Sequence, residues 1–134
     1  MKQRVVSLSD FGPAENMSLI EADIPTPGNG QIVVKNNAIG LNYLDTYFRS
    51  GLYPWPNNND IKIPGSEGVG YIHAVGSDVL DFKEGDRVSY VTPVGAYAEY
   101  AMINAAHAAK INVKVEDHDA VSYTHLTLPT NACV

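Results

Sequence analysis

Thiol chemistry is almost absent from this sequence. Its one cysteine, Cys133, is the next-to-last residue, so no disulfide can form within the chain and no cysteine-rich metal cluster can be built from it. Positive charge is also scarce. Nine Lys and Arg stand against fifteen Asp and Glu, for a net charge of −6, and the basic residues are scattered from Lys2 to Lys114. Such a surface repels phosphate backbones, which argues against nucleic acid as a partner. No stretch approaches the roughly 18 consecutive apolar residues of a membrane span, so no membrane partner is expected. KQRVVSL after Met1 has neither the apolar centre nor the small-residue cleavage site of a secretory leader, and the expectation is a cytoplasmic protein.

What is present points to one compact domain. Hydrophobic residues make up 45% and charged residues 18%, too apolar a balance for disorder, and a chain of this size buries about two thirds of its unfolded surface. RVVSL (4–8) and MSLI (17–20) flank a turn at Gly12-Pro13 and predict two antiparallel strands. After the breaker-rich IPTPGNG, QIVVKNNAIG predicts a third strand with one solvated face. At Asn42 the period changes. Leu41, Leu44, Tyr47 and Phe48 fall at helical spacing, Asn42 suits an N-cap, Asp45 stands at N3, and Gly51 can take the left-handed position after the last turn. A two-turn helix over 43–50 follows, packed on the sheet through that apolar stripe, since so short a helix does not persist alone. GLYPWPNNND (51–60) is a surface loop.

Three glycines, Gly65, Gly68 and Gly70, precede the strand pattern GYIHAV. In a strand they predict a bulge or the close approach of another backbone or ligand. GSEGVG is not the G-x-G-x-x-G of a phosphate-binding turn, and it leads into a strand rather than a helix. The Glu84-Gly85-Asp86 turn and two more strands complete a pattern of six or seven short strands and one helix, a mainly β, barrel-like domain. Beyond Glu116, EDHDAV starts like the acid-rich first turn of a helix and then breaks off. VSYTHLTLPT resembles translated read-through of a transposase adapter used in sequencing libraries, so 1–120 is expected to be the authentic domain and 121–134 an artefactual tail.

The stretch GLNYLDTYFRSGLYP (40–54) has no thiol, no histidine and one acid. From its residues alone it can hold a cofactor or simply pack. A metal is disfavoured, because His73, His107 and His118 show neither i, i+4 spacing nor a neighbouring cysteine. NNAIGLNYLDTYFRSGLYP, PGSEGVGYIHAVGSDV, FKEGDRVSY and GAYAEY together resemble the N-terminal half of the medium-chain dehydrogenase/reductase superfamily, and within it the NADPH:quinone oxidoreductases of the zeta-crystallin type, over about residues 2–120. DTYFRSGLYP is the specific motif; GDRV is shared across the superfamily.

The resemblance implies a GroES-like, partly open β-barrel with short helices, without the Rossmann domain that forms the family's second half. Zinc-dependent members carry a catalytic cysteine where this chain has Asn42 and a histidine where it has Ser66, and their four-cysteine structural-zinc loop is missing here too. An amide and a hydroxyl are poor substitutes as zinc ligands. The chemistry implied for the full-length protein is therefore hydride transfer from NADP(H) to a quinone-like small molecule without zinc, by a homodimer, with the fragment inactive alone. In the resembled enzymes the stretch matching Asn42, Tyr43, Leu44, Asp45, Thr46 and Tyr47 lies beside the cofactor, with Tyr47 and Arg49 facing the acceptor. Each has a plainer alternative: Asn42 as cap, Tyr47 as core, Arg49 paired with Asp45 on the helix surface. Glu67 is either a satisfied carboxylate at a bulge or a catalytic acid. The alternatives in function are a metal-free enoyl reductase of the same superfamily and a non-enzymatic GroES-like module that binds a protein partner.

Overall fold

The computed structural model describes residues 1–112 and 116–117. The expected domain boundary at Ala120, the tail, His118 and Cys133 lie outside the described residues.

The elements run β1 (Lys2–Leu8), β2 (Met17–Asp23), β3 (Gln31–Ile39), α1 (Tyr43–Ser50), β4 (Glu67–Val75), β5 (Arg87–Val91), β6 (Tyr100–Asn104) and β7 (Ala108–Lys110), with 3-10 turns at Ala14–Asn16 and Ala105–His107. β1 and β2 form a two-stranded antiparallel sheet; the other five strands form a second, all-antiparallel sheet in the order β6-β3-β4-β5-β7. The mainly β architecture stands as expected, with one α-helix of more than a turn among the described residues. Among the described residues the two sheets do not close into a barrel. The hairpin is instead joined to the rest of the domain by two isolated bridges, Val5 to Ala98 and Leu8 to Lys62, with Val6 N–H donating to Tyr97 O at 2.9 Å and an Arg4–Glu99 ion pair at 2.8 Å beside the first.

β3 departs from its predicted one-sided pattern. Ile32, Val33 and Val34 are all buried, and only from Lys35 onward does the strand alternate toward solvent. Ile32 and Val34 point into the main core, while Val33, on the opposite face of the strand, is buried as well, so both faces of the first half are covered. The core gathers Ile32, Val34, Ile72, Val88, Tyr90, Ala96, Ala101 and Ile103. Its one phenol is satisfied: Tyr90 donates to Asn36 Oδ1 at 2.8 Å, and the Asn36 amide donates to the Ala98 carbonyl at 2.9 Å, as buried polar groups require.

The glycines of β4 behave as close-approach residues. The β3–β4 register shifts between Asn36 and Ala38, and at Gly70 a side chain would run into the backbone of Lys35 and Asn36. That crowding is why the strand carries no side chains there.

Candidate functional site

Helix α1 begins and ends where the sequence places it. Asn42 sits in extended backbone at the N-cap (φ −124°, ψ 151°), and Gly51 closes the C-terminus in the left-handed region (φ 84°). The face it buries is the expected one only in part, through Phe48. Leu41 is 78% exposed and Leu44 36% exposed, while Asp45 and Phe48 are buried. The helix turns a carboxylate inward because that carboxylate has partners: Asp45 Oδ2 accepts the Asn42 N–H at 3.1 Å and the Tyr97 O–H at 2.6 Å. A negative charge in the first turn also complements the helix dipole. Asp45 Oδ1 is buried and finds no partner among the described residues. Burial, and after it the hydrogen bond to Asp45, push the Tyr97 phenol above its ordinary range, since both disfavour a second negative charge at this spot.

The Asn42 side chain faces across to β4. Its Nδ2 donates to Ser66 Oγ at 3.3 Å, so two residues 24 positions apart meet where α1 begins and β4 approaches. An amide and a hydroxyl in contact present hydrogen-bonding dipoles without net charge, a donor set that does not suit zinc. Among the described residues, no group of three or more His, Cys, Asp or Glu side chains gathers to hold a metal.

A cavity of about 390 Å³ opens beside this contact. Five of the sequence-selected residues line it: Asn42, Tyr43, Asp45, Thr46 and Arg49, facing Pro64 and Tyr97. Leu44, Tyr47 and Glu67 are not among its walls. Tyr47 stands between Tyr43 (ring centroids 5.5 Å apart, edge-on) and Tyr53 (5.2 Å), and Phe48 packs edge-on against Tyr53 and Trp55. The loop after the helix thus extends the helix's aromatic side into a wall. Arg49 makes no surface pair with Asp45; its Nε donates to the Gly12 carbonyl at 3.1 Å, and Asp45 is turned to Tyr97. Glu67 is 5% exposed. Its side chain lies over Gly40, whose N–H donates to the Glu67 carbonyl at 3.1 Å.

Sequence reasoning missed Tyr53 and Tyr97. Tyr53 was within reach, because it belongs to the same aromatic-rich stretch. Tyr97 gave no local signal: its partner Asp45 is 52 residues away.

A sequence profile described as the alcohol dehydrogenase GroES-like domain matches residues 28–113. The chain is 43% identical over 116 residues to a probable quinone oxidoreductase of Schizosaccharomyces pombe, spanning 86% of this chain and 34% of that protein. The solved quinone oxidoreductase of Pseudomonas syringae pv. tomato superposes with a TM-score of 0.83 at 40% identity, covering 90% of this chain and 37% of that one. A mycobacterial protein solved in complex with NADPH gives a TM-score of 0.81 at 34% identity, again over 90% and 37%. The chain spans about a third of the length of the curated relatives it matches.

Proposed function

The chain belongs to the alcohol dehydrogenase GroES-like domain family, and on that footing we propose that it is the acceptor-side portion of an NADPH-dependent oxidoreductase that reduces quinones or similarly electron-poor small molecules without zinc. The activity is that of a longer protein, of which these residues form one wall of the cleft. The observation that carries the reading is the Asn42–Ser66 contact at 3.3 Å beside an aromatic-walled cavity. Relatives named quinone oxidoreductases and the NADPH complex of a similar structure support it.

The cavity suits the nicotinamide end of NADPH in size and chemistry, because small-molecule sites are apolar clefts of roughly 300–1,000 Å³ with a few placed polar groups. Asn42 and Thr46 offer polar contacts and Tyr43 a ring face. Leu44 and Asp45 flank these contacts on the helix, with Asp45 acting through Asn42. When NADPH is bound it furnishes the hydride. A quinone needs only that hydride and one proton to become a hydroquinone, so no Lewis acid has to polarise a carbonyl. Tyr47 and Arg49 serve the acceptor, the first as aromatic wall through its contacts with Tyr43 and Tyr53, the second as a fixed positive charge where negative charge develops on the acceptor oxygen. Glu67 is assigned no proton transfer, because it is buried against Gly40 and stands off the cavity.

The test is NADPH consumption by the chain extended through its natural continuation, assayed on a quinone series and on enoyl thioesters. Turnover of quinones well above enoyl thioesters is expected, with Asn42→Ala losing roughly 10- to 100-fold in kcat/KM, the scale of a misplaced reactant. Turnover of enoyl thioesters only would transfer the site to an enoyl reductase. No NADPH-dependent turnover at all would overturn the reading.

A further inference from the structure

The contacts around the cavity form a closed ring. Asn42 donates its backbone N–H to Asp45 Oδ2, and the same oxygen accepts the Tyr97 hydroxyl. Tyr97 in turn is fixed by its backbone, whose N–H donates to the Pro64 carbonyl at 2.9 Å and whose carbonyl accepts from Val6 at 2.9 Å. Its ring lies against Gly65, which holds φ 107° and has no room for a Cβ because the Tyr97 ring and backbone nitrogen occupy that space. Gly65 leads directly into Ser66, and Ser66 Oγ accepts from the Asn42 side chain, closing the ring.

We infer that Tyr97 is the positioning residue of the proposed hydride-transfer cleft: its hydroxyl, through Asp45, sets Asn42, while its ring and backbone, through Pro64 and Gly65, set Ser66. The inference rests on the function proposed above only for its kinetic consequence. One side chain reaches both halves of the polar pair, which come from distant parts of the chain. Nothing else among the contacts described at Asp45 Oδ2 ties α1 to the segment before β6. Removing the Tyr97 hydroxyl would free Asp45, whose other oxygen already lacks a partner, to turn and release the Asn42 N–H. The ring's packing on Gly65 would stay. The effect is therefore one of geometry at Asn42, because the hydroxyl that is lost is the one engaged with Asp45.

Two measurements test this. In the 134-residue chain, isotope-labelled for NMR, Tyr97→Phe should shift the Asn42 backbone amide and side-chain NH₂ resonances and speed their exchange, while the β4–β5 core resonances stay in place. Asp45→Asn, which keeps size and removes the charge, should perturb the same Asn42 signals, and serves if Tyr97→Phe fails to fold. Unchanged Asn42 signals in either folded variant would overturn the inference. In the extended chain, Tyr97→Phe should lower kcat about 10-fold, below the ~100-fold that a displacement of about 1 Å can cost, with KM for NADPH within about twofold. In the double variant with Asn42→Ala it should add no further loss of kcat, because the residue acts through Asn42. Additive losses in that cycle would contradict the positioning role. Absence of quinone turnover in the unsubstituted extended chain would defeat the function proposed above and leave the NMR result to decide the geometry.

Discussion

At the scale of single residues, the site depends on small separations that one added atom would disturb. A Cβ on Gly40 would collide with the Glu67 side chain, falling 2.6 Å from its Cγ and 2.8 Å from its Cδ. Glu67 is buried and cannot swing freely aside. Gly40→Ala should therefore destabilise by about 1–3 kcal/mol, the usual cost of overfilling a packed site, read as a lowered Tm with Asn42 displaced. A Tm equal to that of the unsubstituted chain would show that Glu67 yields without cost. Tyr90 and Tyr97 make a second prediction, this time in pH. Burial holds both phenols protonated above their ordinary range in the folded chain, so the folded state binds these protons more tightly than the unfolded one. That contribution is complete below the ordinary tyrosine value of about 10 and is lost as pH rises beyond it. Unfolding midpoints should fall between about pH 9.5 and about pH 11, and Tyr97→Phe should make that decline shallower. An identical decline in the variant would mean that Tyr97 titrates alike in both states.

At the scale of elements, α1 shows what local sequence does and does not carry. Its bounds were readable because caps are local: Asn42, Asp45 and Gly51 stand within the helix or next to it. Gly51→Ala should cost about 1–2 kcal/mol, the penalty for a side chain in left-handed backbone, with an added squeeze from the Phe11 ring 3.3 Å from the new Cβ. Thermal unfolding measures it, and a loss well under half a kcal/mol would deny the cap its role. The buried face was misread because the inward turn of Asp45 is decided by Tyr97, which no helical window contains. Leu44, expected inside, lies outward for the same reason, while Leu41 stands before the N-cap and is exposed. The glycines of β4 were legible as close-approach sites, since a strand has few other uses for them. β7, three residues long, is too short to display a period, and the detachment of the β1–β2 hairpin from the main sheet follows from long-range pairing that a linear reading does not see.

At the scale of the whole molecule, the described surface carries several exposed apolar side chains. Leu41 (78% exposed) and Tyr43 (76%) line the cavity yet lie in water, and Leu19 (64%) stands exposed on β2. Leu19 and Leu41 also line a groove of about 520 Å³ between the hairpin and β3. Exposed apolar surface of this kind seeks a cover, and the chain spans only about a third of its curated relatives. The isolated chain is therefore expected to self-associate, with a mass above the monomer's in light scattering. A monodisperse monomer at high concentration would count against that expectation. Among the described residues no helix is long and apolar enough to cross a membrane.

On the function proposed above, an amide and a hydroxyl, Asn42 and Ser66, stand at the hydride-transfer site and no metal takes part there. Metal content and turnover measured together on the extended chain, before and after exhaustive chelation, test it most directly. Substoichiometric zinc and undiminished NADPH-dependent quinone reduction are expected in the chelated protein. Stoichiometric zinc whose removal abolishes turnover and whose return restores it would contradict the claim.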